Sequence, residues 1–238
     1  MPVGPVLDGV LDLAHRAGRN ALLIGSHGIG KSQAVAAWAE RRSLARTEID
    51  LSQLESVGDL IGSPFVRDGR THLAPPIHLP SPTDRREGII HLEETLRAQP
   101  WMHAAMYSFL SGGALGPTYR VPRGWTVVAT ANPVEPGGRY DGRALDPAAR
   151  DRFVVVDVVA SLEHWLQWAR DGDVHRAVVS FVETSGERVL TDPAATPRGW
   201  EHVSKLTHAF EELEPHERSD DALVAALTGC VGNRWARS

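Results

Sequence analysis

The sequence has one cysteine, Cys230, and only two lysines, Lys31 and Lys205, among 25 basic residues. A lone cysteine cannot close an intramolecular disulfide and has no partner for a cysteine zinc motif, which excludes both kinds of scaffold. No stretch approaches the roughly 18 continuous apolar residues of a membrane span. The opening MPVGPVLDGVLDLAHRAG carries acids inside its apolar pattern and no early basic cluster, so no signal peptide is expected and the expected location is cytoplasmic. The charge is not one-sided either. The formal net charge of −5 comes from interspersed acids and bases, leaving no basic stripe to neutralise a phosphate backbone, and nucleic acid is not an expected partner. Internal repeats and low-complexity tracts are absent. The 11 histidines include no H-x-x-x-H pair with an acid on a helical face; His72 and His78 fall in loop-like stretches and read as polar surface. Trp165 and Trp168, at helical spacing, read as packing residues.

What is present suffices for a core: 238 residues, 42% of them hydrophobic. Short aliphatic runs, NALLIG (20–25), ARTEIDL (45–51), GIIHLE (88–93), GWTVVATAN (124–132) and RFVVVDVV (152–159), alternate with helical patterns, as in a parallel sheet covered by helices. LLIG and VVVDVV are nearly continuous in apolar character and are expected to be central strands. From 161 onward only amphipathic helical patterns occur, with Ser161 and Glu163 as a start signal and Pro215 as a stop. The expected division is an α/β domain over 1–160 and a small α-helical domain over 161–238. FVRDGRTHL predicts a hairpin around Asp68 and Gly69.

One of the two lysines stands in a specific setting. Gly25-Ser26-His27-Gly28-Ile29-Gly30-Lys31-Ser32 fits G-x-x-x-x-G-K-[ST], directly after a predicted strand and opening a predicted helix. Glycines let the backbone N–H groups turn inward toward phosphate oxygens, and the helix N-terminus adds partial positive charge. Lys31 would reach the β and γ phosphates and Ser32 would ligate magnesium. Arginine is no substitute, because its planar fork does not fit where a compact ammonium does.

Nucleotide hydrolysis further needs a carboxylate for magnesium and another to orient or deprotonate the attacking water. Glu93 and Glu94 in GIIHLEET supply both types at a strand end. WTVVATANP places Asn132 at another strand tip, where a neutral amide could hold that water. LDPAARDRF offers Arg150 and Arg152 before the last strand, and ATPRGW offers Arg198 at the start of a helix.

In this order, the phosphate loop, the Glu93–Glu94 strand, the Asn132 strand, the RDRF arginines and the TPR arginine resemble the AAA-type (AAA+) ATPases, in their MoxR branch, with magnesium chelatase ATPase subunits as more distant relatives. DLIGSPFVRDGRTHLAPPIHLP is similar to that branch's insert in the second helix, LGPTYRVPRGWTVVATANP to its hairpin before the sensor asparagine, and ATPRGWEHVSKL to its lid motif. The resemblance implies a P-loop NTPase fold, a parallel sheet flanked by helices and followed by a helical lid. It implies magnesium-dependent ATP hydrolysis, with Ser32 and Glu93 at the metal and Glu94, Asn132, Arg152 and Arg198 in catalysis. Arg152 would be the finger that reaches a neighbouring subunit's nucleotide, with Arg150 the alternative, and Arg198 the lid sensor for its own. It further implies a homo-oligomeric ring, a hexamer, acting as a chaperone on a protein client, with a von Willebrand factor A domain protein as candidate partner. Segments 65–73 and 118–123 are the expected client contacts. Two positions depart from the branch: Glu93 stands where aspartate is usual and Leu96 where asparagine is frequent. These departures motivate an alternative, a nucleotide-gated scaffold with little turnover. A P-loop kinase is a further alternative, against which Asn132, Arg152 and the helical segment speak.

Replacing Lys31 with alanine is expected to abolish ATP binding while leaving the fold intact, since a loop lysine contributes charge to phosphate. Calorimetric titration with ATP, alongside circular dichroism, checks this; unchanged affinity would remove the phosphate-loop assignment.

Overall fold

The computed structural model describes residues 1–116, 119–134 and 147–237, apart from the side chains of Pro100, His103 and Ala104. Thr118 of the expected client-contact segment and the first two residues of LDPAARDRF lie outside the described residues. Contacts divide the chain into two compact units: Pro5–Gly25 with Lys31–Val158, and Met1–Gly4 with Ser26–Gly30 and Val159–Ser238.

The first unit runs α1 (Pro5–Arg16), β1 (Asn20–Ile24), α2 (Lys31–Arg41), β2 (Ala45–Asp50), α3 (Val57–Ile61), β3 (Ser63–Arg67), β4 (Arg70–Ala74), β5 (Gly88–Glu93), α4 (Pro100–Gly112), β6 (Ala114–Leu115), β7 (Tyr119–Arg120), β8 (Trp125–Ala131), α5 (Pro147–Arg150) and β9 (Phe153–Asp157). Five of the strands form a parallel sheet in the order β2-β5-β8-β1-β9. Every residue of β8 is buried, as are the first five of β5 and the middle three of β1, which is why these segments read as unbroken apolar runs. Leu22, Ile90, Leu92 and Val127 join Met102, Met106 and Phe109 of α4 in one core.

The run VVVDVV departs from expectation: β9 closes one edge of the sheet, paired only with β1 among the described strands, and its Val154 and Val155 are half-buried. An apolar run reports that both faces are covered, not that both edges are paired, so periodicity cannot separate a flanked edge strand from a central one. The expected hairpin is present as β3 and β4, joined through Asp68 and Gly69 at φ 51° and 68°, the left-handed pair of a two-residue turn.

The second unit contains α6 (Leu162–Asp171), α7 (Arg176–Ser185), α8 (Arg188–Thr191), α9 (Pro197–Glu212) and α10 (Asp220–Ala236). Ser161 caps α6 by accepting the His164 N–H, and Thr196 caps α9 by accepting the Gly199 N–H at 3.2 Å, with Pro197 in the first turn, where no N–H is needed. The core is built from Trp165, Val182, Val189, Trp200, Val203 and Trp235. Trp165 packs as expected, whereas Trp168 is 44% exposed, its ring 6.1 Å from that of Trp165. No helix among the described residues is long and apolar enough to cross a membrane.

Trp200 is the keystone of this unit: buried, with its indole N–H donating to the Val189 carbonyl at 2.8 Å and its ring 5.3 Å from Phe181. Trp200→Ala leaves a cavity and an unpaired carbonyl, and is expected to destabilise by about 3–5 kcal/mol. A fall in the urea midpoint followed by far-UV circular dichroism measures it.

Candidate functional site

Because all five strands of the sheet are parallel, their C-terminal ends share one edge, and crevices at this edge are where open α/β sheets place ligands. Three neighbouring strands deliver their following residues there: β1 leads into Gly25, β8 into Asn132 and β5 into Glu94. The order β5-β8-β1 therefore places Asn132 between the other two.

The loop after β1 needs glycine at two points. Gly28 and Gly30 have φ of 70° and 89°, which residues with a Cβ rarely adopt. A Cβ on Gly28 would also come within 2.7 Å of Thr196 Oγ1, and the Gly28 carbonyl accepts the Arg198 N–H at 3.0 Å. Arg198 is thus attached through its backbone to the tip of the phosphate loop, within the helical unit that contains Ser26–Gly30. Ser26 and His27 are exposed, Gly25 and Ile29 buried.

Lys31 opens α2 and is only 8% exposed. Its ammonium donates to the Gly25 carbonyl at 2.6 Å and to Asn132 Oδ1 at 3.1 Å. The Asn132 amide nitrogen in turn lies 3.3 Å from each carboxylate oxygen of Glu94. An amide has one acceptor end and one donor end, so Asn132 is oriented by its neighbours: oxygen to the cation, nitrogen to the anion. The Glu94 carboxylate also has Arg97 at 4.0 Å. Its backbone sits at φ 51°, ψ 37°, a left-handed conformation unusual for a residue with a long side chain, at the start of a short 3₁₀ turn, Thr95–Arg97. The sequence carries no signal for that conformation.

Glu93, the last residue of β5, is half-buried, and its carbonyl accepts the Leu51 N–H at 3.1 Å. Its carboxylate lies 3.9 Å from Nε2 of His91, a fully buried imidazole that is also 3.4 Å from Thr130 Oγ1 and 3.6 Å from Glu48. Burial pushes the His91 pKa down, against the opposing pull of Glu93 and Glu48. This Glu48–His91–Glu93 group was visible in the sequence only as a polar residue interrupting an apolar run; the β2–β5 register that sets Glu48 opposite His91 was not. Ser32, half-buried, is the second residue of α2. The hydroxyl of Ser32 and the carboxylates of Glu93 and Glu94 are hard oxygen donors, the set that suits magnesium. Leu96 is buried in the apolar core and presents no polar group.

Arg152 is elsewhere. It precedes Phe153, which pairs with Asn20 at the start of β1, whereas the phosphate loop follows Ile24 at the end of β1. Five residues of strand separate these two edges, about 16 Å at 3.3 Å per residue. Arg150, at the end of α5, is exposed at the same distant edge. The sheet therefore brings together Lys31, Asn132 and Glu94 but keeps both arginines of RDRF away from their own chain's loop.

No family model matches the sequence, and no curated protein is significantly similar to it. Solved structures do match. A candidate ATPase from Cytophaga hutchinsonii superposes at a TM-score of 0.52 with 23% identity, covering 69% of this chain and 49% of that one. The Thermotoga maritima RuvB Holliday junction branch migration motor superposes at 0.52 with 15% identity, covering 94% of this chain and 67% of that one. This chain thus spans about half the length of the first and two thirds of the second. At such identities the likeness establishes the fold: a five-stranded parallel sheet flanked by helices and followed by a helical region, the AAA+ P-loop fold.

Among the described residues, His91 is one of three histidines that burial holds below the ordinary histidine value of 6.5, with His15 and His78. His15 sits edge-on to Trp38, its Nδ1 2.7 Å from Thr126 Oγ1. A folded-state pKa below the unfolded value favours the neutral form, so the associated stability is complete above pH 6.5 and is lost as pH falls through the folded values. The Asp84 carboxyl, held down to about 2 by its hydrogen bond from Arg86, titrates far below that window. The urea midpoint is expected to fall between pH 7 and pH 5; a flat profile would show that these histidines are not held neutral by the fold.

Proposed function

We propose that this chain is a magnesium-dependent ATPase of the AAA+ class and MoxR type, working in the cytoplasm as a homo-oligomeric ring, a hexamer, that remodels or matures a protein client. The observation that carries this reading is the Lys31–Asn132–Glu94 chain of contacts at the C-terminal edge of the sheet. Gly25, Ser26, His27, Gly28, Ile29 and Gly30 form the phosphate cradle, with Lys31 supplying the cation. Ser32 and Glu93 would hold magnesium, which when bound neutralises phosphate charge. Glu94 takes the proton of the attacking water, and Asn132 positions that water while keeping Glu94 in register with Lys31. Arg198 acts on its own chain's nucleotide from the helical segment 161–238, read here as the lid; its backbone bond to Gly28 supports this.

Arg152 acts in trans. Its place at the far edge of the sheet, about 16 Å along β1 from the loop, is out of reach of its own chain's nucleotide and suits contact with a neighbour's. Arg150 is less suited: Arg152 is held by Ser111 and the Ala148 carbonyl, and no such hydrogen bond is made by Arg150 among the described residues. RuvB is described as a Holliday junction motor; the formal charge of −5 and the missing basic stripe favour a protein client here, and the MoxR resemblance suggests a von Willebrand factor A domain partner. The exposed β3–β4 hairpin, with Phe65 at 42% and Val66 at 75% exposure, is the proposed client contact. A second reading, the nucleotide-gated scaffold, is favoured by the buried Leu96 and by the longer Glu93 side chain; it predicts a wild type that binds ATP and hardly turns it over.

Glu94→Gln and Arg152→Ala are each expected to retain ATP binding, with turnover in Arg152→Ala lowered by about 10³-fold. Mixed in equal amounts, the two inactive proteins create interfaces in which an intact Glu94 meets an intact Arg152. About a quarter of wild-type activity should return if assembly is random. Phosphate release from the mixture measures this. No recovery despite co-assembly would exclude a finger in trans, and a wild type as inert as Glu94→Gln would leave the scaffold.

A further inference from the structure

The edge of the sheet opposite the phosphate loop carries an organised constellation of its own. A recess of about 310 Å³ is walled by Arg19, Asn20, Leu110, Ser111, Asp151 and Arg152. Arg152 at its rim is held on three sides. Its Nε donates to Ser111 Oγ, its Nη1 donates to the Ala148 carbonyl, and its guanidinium carbon lies 5.2 Å from the centre of the Tyr107 ring. Ser111 Oγ donates its own proton to the Tyr107 carbonyl at 2.7 Å, so its lone pairs are turned to the arginine. Tyr107 and Ser111 are one turn apart on α4, whose Met106, Phe109 and Leu110 are buried, so the two side chains project from a fixed helix. Arg19 donates to the Asp151 carbonyl at 3.3 Å and fixes the turn just before the finger. These contacts use Nε and Nη1; Nη2, with two donors, makes no hydrogen bond among the described residues.

We propose that Tyr107 and Ser111 are positioning residues that pre-set Arg152 for a neighbouring chain's nucleotide. The inference rests on the trans reading of Arg152. Arginine loses much rotamer freedom when it engages phosphate, and a ring face plus two anchored nitrogens removes most of that freedom before the neighbour arrives. The N–H groups left over, two on Nη2 and the second on Nη1, are able to donate to an anion. A parked, inhibitory finger would instead bury its free donors against its own chain.

Tyr107→Leu removes the ring face and is expected to lower kcat about 5- to 20-fold, with ATP affinity and assembly unchanged. Tyr107→Phe and Tyr107→Trp keep the face and should restore the rate. Ser111→Ala, at an exposed position that cannot endanger the fold, should lower kcat about two- to fivefold. In an Arg152→Ala background neither change should cost anything further, whereas a general structural role would lower the rate again. Wild-type or faster turnover in Tyr107→Leu and Ser111→Ala, or additive losses with Arg152→Ala, would overturn the positioning role while the trans finger stands. The Arg152→Ala and Glu94→Gln mixture tells the two failures apart: without recovery there, the trans reading falls and this inference with it.

Discussion

A buried ammonium organises this molecule. Lys31 is almost wholly removed from water, and a buried charge must be solvated by protein dipoles or opposite charge. The Gly25 carbonyl and Asn132 Oδ1 meet that demand, and Asn132 passes the polarisation to Glu94. Three strands are thereby tied at their tips: β1 through Gly25, β8 through Asn132, β5 through Glu94. That the three are adjacent in the sheet is a requirement of the contact, since a strand inserted among them would break the relay by about 5 Å.

Much of this is legible in the sequence alone. The glycine-rich octet after an apolar run announced a loop between strand and helix, and the tips of GIIHLE and WTVVATA had to share an edge with it once the sheet was parallel. The Asp68–Gly69 turn and the Ser161 cap were equally plain, because each rests on chemistry within four residues. What depends on lateral neighbours was not legible. Apolar continuity in VVVDVV records covered faces and says nothing about edges, so an edge strand looked central. His91 looked like a blemish in a strand until the β2 register supplied Glu48 as its companion. The hold of Tyr107 and Ser111 on Arg152 joins side chains 41 to 45 positions apart and has no local signature.

The two ends of the sheet divide the chemistry. The C-terminal edge gathers a cation, an amide and carboxylates around a loop, while the N-terminal edge holds an arginine by its own chain and leaves one amino group without a hydrogen bond among the described residues. On the reading proposed above, a site at one edge that still lacks its arginine and an arginine presented at the other would form a head-to-tail pair, the heterologous arrangement that closes into rings. On the same reading a two-fold dimer would bring like edges together and serve neither.

Glu94 adopts a left-handed backbone that glycine or asparagine would occupy with less strain. A sequence shaped by folding alone would have drifted toward those residues at this position. The carboxylate is kept at a thermodynamic disadvantage, which places residue 94 on the frontier where robustness and activity trade against each other. Stabilisation campaigns that screen for thermal tolerance without assaying turnover will tend to select replacements here, and their most heat-resistant products would lack the carboxylate on which the proposed chemistry turns.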